Sequence, residues 1–386
     1  MSKKILLFFI LCFSFLFLTT DFGYCATKGR ITIPDLAKKT GNKLLNMGLL
    51  DYAYESGSFF MLVRNNNKTR DMQWVLFDPI SQKVLKSGDC PFKLENDIVA
   101  VSPDGKHAAL FSRAPTVLWL LDTESGKWDN IMENPKVNEG GLTIIRKVKV
   151  VNEFGTSYLR FVDNSTVATC LQDLDKDKTM KDIIPAVVNV EKKEIEHFVS
   201  FSELLTASSK LLESKEEGNC SIDDVYQESN SSLLFTIRND KHSYVMRIGT
   251  DKIAHIVYTF PVRRIKFFDV FNGNIVCRIS SSEDKSKDSI TVIKNDGTME
   301  ILVKEKAVYG FAVENNSYVV ASFKPNGKVP LVELIDSTGK HSSIAQHEEV
   351  SIPYIDKKPS IIYFVNENGM KYFKITSKTK NSKVKK

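Results

Sequence analysis

One unit of sequence constrains this chain more than its length does: short apolar runs separated by tight turns, returning at near-regular intervals. In its clearest copy, apolar residues alternate over 98–101, Ser102, Pro103, Asp104 and Gly105 form a turn, and a second apolar run covers 108–111. A third run at 117–121 follows, and 122–127 turns the chain toward a fourth. Apolar residues at period two, punctuated by Pro, Asp and Gly, predict a four-stranded antiparallel meander.

The first turn of this unit recurs at Ser56-Gly57, Asp104-Gly105, Phe154-Gly155, Ser229-Asn230, Asn272-Gly273, Asn315-Asn316 and Lys357-Lys358, with spacings of 48, 50, 75, 43, 43 and 42 residues. Gly and Asn suit these hairpins because they accept positive φ at low cost. Third-strand runs follow at 74–77, 186–190, 244–248, 289–293, 330–335 and 371–375, with turns at 295–297 and 337–340 after two of them. A four-strand unit repeating every ~40–50 residues implies a ring of sheets. The fold class expected is therefore all-β, a seven-bladed β-propeller with six or eight blades as alternatives and short helical insertions. The 24 Phe and 12 Tyr agree with a strand-rich chain. The last copy lacks a fourth strand, which Arg30 to Ile33 is expected to supply from the other end of the chain, so that no sheet edge is left open.

Two segments interrupt the rhythm between the third and fourth turns. Residues 171–184 form a charged excursion, and 202–217 predict a helix with Ser202 as its N-cap. Phe201, Leu204, Leu205, Ser208, Leu211 and Leu212 fall on one face at helical spacing. That face either packs on the propeller itself or docks a partner through Leu204, Leu205, Leu211 and Leu212. A second helix is expected over 34–50, broken near Gly41 and placed to plug one mouth of the ring.

The N-terminus reads as an export signal. Lys3 and Lys4 precede an apolar run over 5–18, too short to span a bilayer comfortably, and small side chains at Gly23 and Cys25 fit cleavage before Ala26. The division expected is a signal peptide over 1–25, a closing strand and helical segment over 26–50, the propeller over 51–376 and a basic tail over 377–386. Location is then secreted or periplasmic, the alternative being a membrane anchor left uncleaved. Cys25 follows the apolar run as a lipid-modified cysteine would, but Tyr24 occupies the place where such sites carry a small residue.

The net charge of +6 is unevenly spread: seven Lys and no acid follow position 370, Lys3, Lys4 and Asp21 sum to +1, and the body between is left at −2. Such a tail suits weak contact with an anionic envelope surface. No basic stripe with interleaved aromatics crosses the body, so nucleic acid is not an expected partner. Cys90, Cys170, Cys220 and Cys277 are widely spaced without a CxxC pair, leaving open buried thiols or one or two disulfides.

No single motif carries chemistry. Gly-x-Ser-x-Gly is absent, and the six His show no HExxH or HxH spacing. Asp173, Asp175 and Asp177 alternate as calcium ligands can, but Lys178 and Ile184 stand where an EF-type loop needs Gly and Glu, and interleaved Lys neutralise the segment. No cofactor is expected.

The stretch from Val101 to Lys106, with Trp119 to Gly126, resembles a blade of the WD-repeat-like, TolB-type β-propellers of bacterial envelopes. The close match covers about thirty residues, and elsewhere the likeness is one of spacing. The resemblance implies an exported propeller that serves as a binding platform. Together these readings predict a non-catalytic binding or scaffold module for a protein or glycan partner, the alternative being a metal-assisted hydrolase or lyase in the central channel.

Overall fold

The computed structural model describes residues 25–32 and most of 50–376; the expectations for 1–24, 33–49, 151–158, 174–182, 213–219, 315–316, 357–358 and 377–386 lie outside the described residues. The strands assemble into six four-stranded sheets and one seven-stranded sheet. In chain order these are blade 1 (50–89), blade 2 (98–130), the large sheet (136–197), blade 3 (221–261), blade 4 (264–303), blade 5 (308–346) and blade 6, where 353–376 is joined by Cys25–Thr32. Blades 1 to 5 are plain meanders from an inner first strand to an outer fourth. First strands of successive sheets meet, as Leu50–Ala53 meets Ile98–Val101 and Ser221–Ser229 meets Arg264–Phe271.

The sequence pattern explains which strands lie where. Second and third strands are buried on both faces and read as unbroken apolar runs: Phe59, Phe60, Met61, Leu62 and Val63 are all buried, as are Leu233 to Ile237. Outer strands have one open side, and Lys83–Asp89 accordingly alternates exposed and half-buried residues. The core is thus a series of layers between neighbouring sheets. Leu62, Trp74, Leu110 and Leu121 fill the layer between blades 1 and 2, and Leu234, Val245, Ile275 and Cys277 the layer between blades 3 and 4. A bulge recurs between the third and fourth strands of blades 1, 3, 4 and 5, adding the twist that lets sheets stack radially.

Seven regular blades do not form; six do. In the large sheet the inner strand is split into Val148–Val150 and Arg160–Phe161, both paired to Thr166–Asp173, and the outer edge gains the hairpin of Lys136–Glu139 and Leu142–Ile145. Lys136–Glu139 runs parallel to Glu194–His197. A regular spacing rule carries no information about such an added hairpin. The turn of this sheet that stands in the place of the others lies at 162–165; Phe154 and Gly155 are outside the described residues.

The hairpin chemistry is otherwise as the residues dictate. Asn272 and Gly273 both take positive φ, the conformation of a two-residue hairpin turn. Gly105 has φ of 76° and approaches blade 1 so closely that a Cβ would lie 3.0 Å from Ser56 Oγ and 3.3 Å from Ser58 Oγ. Gly105→Ala is therefore expected to cost about 2 kcal/mol, from backbone strain and crowding together. A lowered urea midpoint at unchanged slope would show it; an unshifted midpoint would mean that the turn relaxes freely.

Ring closure uses the N-terminus. Cys25–Thr32 pairs antiparallel with Gly369–Thr376 over eight residues, from Cys25 opposite Thr376 to Thr32 opposite Gly369. The closing strand is longer than the sequence suggested and begins one residue before the expected cleavage point. Leu50, the end of the expected second helix, opens a strand.

Helix α1 spans Phe201–Leu212. Its cap is Ser200 rather than Ser202: Ser200 Oγ accepts the Glu203 N–H at 3.3 Å, and Glu203 Oε2 accepts the Ser200 N–H at 2.6 Å, a reciprocal capping box. Burial opposes ionisation of Glu203, but the Ser200 donors and Lys252 hold its carboxyl down at about 2. Phe201 and Leu204 are buried and Leu205 and Leu212 half-buried in the layer between the large sheet and blade 3. The helix thus packs against both the large sheet and blade 3.

Candidate functional site on the inner strands

The residues expected to meet a partner through α1 separate in the structure. Leu204 is 0 % exposed, Leu205 and Leu212 pack inward, and Leu211 faces solvent at 43 %. Leu211 borders a groove of about 440 Å³ that also takes in Thr206, Ile248, Lys252 and Ile253. Asp173 ends a strand, opposite Val148, while Asp175 and Asp177 lie outside the described residues. Among the described residues no group of three or more His, Cys, Asp or Glu is placed to share a metal.

A different constellation comes together where sequence reading saw nothing. Arg160 of the large sheet, Tyr226 and Gln227 of blade 3 and Asp269 of blade 4 lie on the inner strands of three consecutive sheets, near their turn ends. The Arg160 guanidinium sits 3.7 Å above the centre of the Tyr226 ring, and its Nη2 donates to the Gln227 carbonyl oxygen. Tyr226 Oη donates to Asp269 Oδ1 at 2.6 Å and accepts the Val270 N–H at 3.2 Å. Burial raises both the Tyr226 phenol and the Asp269 carboxyl above their ordinary ranges; the phenol's bond and the Arg160 charge temper the rise at Asp269. Asp269 feels that charge, but among the described residues no carboxylate stands within ion-pair distance of Arg160. The cluster thus presents a fixed, half-buried cation on an aromatic platform.

Beside it, two buried carboxyls tie inner strands together. Asp51 accepts the N–H of Val101 on the next blade at 2.9 Å, and Asp224 accepts that of Phe267 on the next blade at 2.8 Å. Each also accepts the N–H of the residue that follows it. Burial raises Asp51 to about 6 and Asp224 to about 7 against these bonds. At the turn end, Asn164 of the large sheet bridges blades 1 and 2: its Oδ1 accepts the Asp104 N–H at 2.9 Å and its Nδ2 donates to Glu55 Oε2 at 3.1 Å.

Solved structures similar to the chain share this radial array of sheets. An oligogalacturonate lyase in complex with manganese matches at TM-score 0.57 and 10% identity over 91% of each chain. The β-propeller domain of Cps50 (Swd1) from Myceliophteria thermophila matches at TM-score 0.51 and 10% identity, over 85% of this chain and 96% of that one. The β-propeller domain of the trilobed protease from Pyrococcus furiosus matches at 0.50 and 10% identity, over 85% and 94%. The fold is a β-propeller. At such identities the likeness speaks for architecture alone, and propellers of this kind belong to scaffolds and enzymes alike. Neither a family model nor a curated protein matches the sequence.

Of the cysteines of the propeller body, Cys90, Cys170 and Cys277 are free thiols. Cys170 and Cys277 are buried in separate layers, and burial pushes Cys277 up to about 12. They pack as small hydrophobes.

Proposed function

We propose that this propeller is an exported binding module that holds a protein or glycan partner at the turn end of its ring. The observation that carries the reading is the Arg160 cation, fixed on Tyr226 and without an ion-pair partner among the described residues. A cation kept half-buried without a counter-charge costs free energy in the isolated chain, and a partner that supplies the counter-charge recovers it. Export through the segment 1–25 and the resemblance of 101–106 and 119–126 to TolB-type blades support placing that partner at a cell envelope. The Lys-rich tail adds a weak attraction to an anionic surface there.

The test uses the folded full chain, immobilised and challenged with envelope extract and with a glycan array. A partner retained by the native chain and lost with Arg160→Gln is the expected result. Retention of nothing above background by the native chain overturns the reading.

The short Tyr226–Asp269 bond favours a second reading, a metal-assisted hydrolase or lyase, since a phenol and a carboxyl in contact can pass a proton. A stoichiometric divalent ion in the dialysed protein would favour that reading, and metal-free protein that still binds its partner would favour the first.

A further inference from the structure

Resting on the binding role of Arg160, the same residues identify the chemical class of what they hold. Two polar atoms at this spot are shielded from water and lack a hydrogen-bond partner: Arg160 Nε, a donor, and Gln227 Oε1, an acceptor. Both belong to side chains that are otherwise held. Gln227 is 0 % exposed, and its Nε2 donates to the Ser229 carbonyl oxygen at 2.7 Å, which fixes the amide and the direction of Oε1. Arg160 is stacked on Tyr226 and tethered through Nη2 to the Gln227 backbone. The two orphan atoms therefore belong to residues in direct contact, yet they do not satisfy each other. An unpaired buried donor and an unpaired buried acceptor on two residues in contact are a costly arrangement unless something else pairs with them.

We propose that the site takes a carboxylate flanked by a hydrogen-bond donor, the group that an N-acylated amino acid or a uronic acid presents. The carboxylate accepts from the guanidinium, whose planar fork matches two oxygens, and the neighbouring N–H or O–H donates to Gln227 Oε1. Asp269 does not compete: its carboxyl stands beyond ion-pair distance of the guanidinium and is held through Oδ1 by Tyr226 Oη and the Val270 N–H. Arg160 is half-buried, but neither its Nε nor Gln227 Oε1 is open to water, so the ligand reaches them only as the side chains around them part.

The experiment is calorimetric titration of the full chain with N-acetylglycine and with D-glucuronate, each beside its uncharged counterpart, N-acetylglycinamide and D-glucose. At least one acid is expected to bind while its neutral counterpart does not. Arg160→Gln is expected to weaken that binding at least tenfold, and Arg160→Lys, which keeps the charge but loses the fork, less. Circular dichroism checks that each variant is folded; should Arg160→Gln fail to fold, the Lys variant and the neutral counterparts still decide the matter. Equal binding of acid and neutral probe, or acid binding untouched by both variants, overturns the proposal. If neither acid binds while the envelope partner is still retained, the ligand class is wrong and the binding role stands; if the partner is not retained either, both fall.

Discussion

A chain that begins at residue 33 is expected to lose its cooperative fold, whereas one that begins at Ala26 keeps it. The eight residues of Cys25–Thr32 pair along the whole of Gly369–Thr376 and form the outermost strand of blade 6. At ~0.5–1 kcal/mol net per backbone hydrogen bond, a ladder of this length contributes roughly 4–8 kcal/mol. That is comparable with the ~5–15 kcal/mol by which whole domains are stable, so its loss is not absorbed elsewhere. The deletion also leaves Gly369–Thr376 as an open edge, ready to pair with another chain. Urea unfolding and light scattering on the two chains would show a collapsed midpoint and concentration-dependent aggregation for the shorter one. Equal midpoints would mean that the ring closes without its N-terminal strand. Starting at Ala26 removes a single rung, Cys25 opposite Thr376, and is expected to shift the midpoint little.

Stability is expected to fall as pH rises from about 5 to 7. Asp51 and Asp224 are raised from an ordinary 3.8 to about 6 and about 7. Between those values the folded chain holds protons that the unfolded chain has released, so raising the pH draws the equilibrium toward the unfolded chain. The stabilisation is full below about pH 4 and is lost by about pH 7, on the order of 4 kcal/mol for Asp224 and less for Asp51, which keeps an edge in solvent. Glu203, Asp122 and Asp129 are lowered instead and act oppositely, withdrawing stability as pH falls toward and below 4. The optimum therefore lies on the acid side of neutrality, near pH 4–5. Melting temperatures across pH 4 to 8 check this, and Asp224→Asn should flatten the slope even as it lowers the maximum. A melting temperature that climbs from pH 5 to 8 would mean that the backbone donors hold both carboxyls ionised throughout.

The apolar runs on either side of Asp104 and Gly105 and the Asn-Gly turn at 272–273 made the strands and hairpins legible, because those turns admit few residues and those strands bury both faces. The 289–293 and 330–335 runs coincide with the strands Ser289–Ile293 and Pro330–Ile335. The large sheet was not legible: Lys136–Glu139 and Leu142–Ile145 look like one more hairpin, and nothing local says that they attach in parallel to the outside of a sheet completed fifty residues later. The cap moved from Ser202 to Ser200 because the decisive signal was Glu203 three positions on, the reciprocal partner. The inner-strand cluster was missed for a different reason. Arg160, Tyr226 and Asp269 share no motif and come from three separate repeats. What they share is position, each standing three residues before its own turn at Asp163, Ser229 or Asn272. Asp51 and Asp224 likewise stand five residues before Ser56 and Ser229. Stacking the repeats by the turns at Ser56, Ser229 and Asn272 would have brought Asp51 with Asp224 and Tyr226 with Asp269 into view; Arg160 stays hidden, because the sequence places that repeat's turn at Phe154-Gly155 and not at 162–165.

Antiparallel pairing of the closing strand sets residue 25 directly against residue 376, so the two ends of the propeller leave it at one corner. A mechanical load applied between them, with the chain tethered at one end and gripped at the other, peels the ladder rung by rung instead of shearing all eight at once. The seam is thus loaded in the geometry in which a strand pair yields one rung at a time.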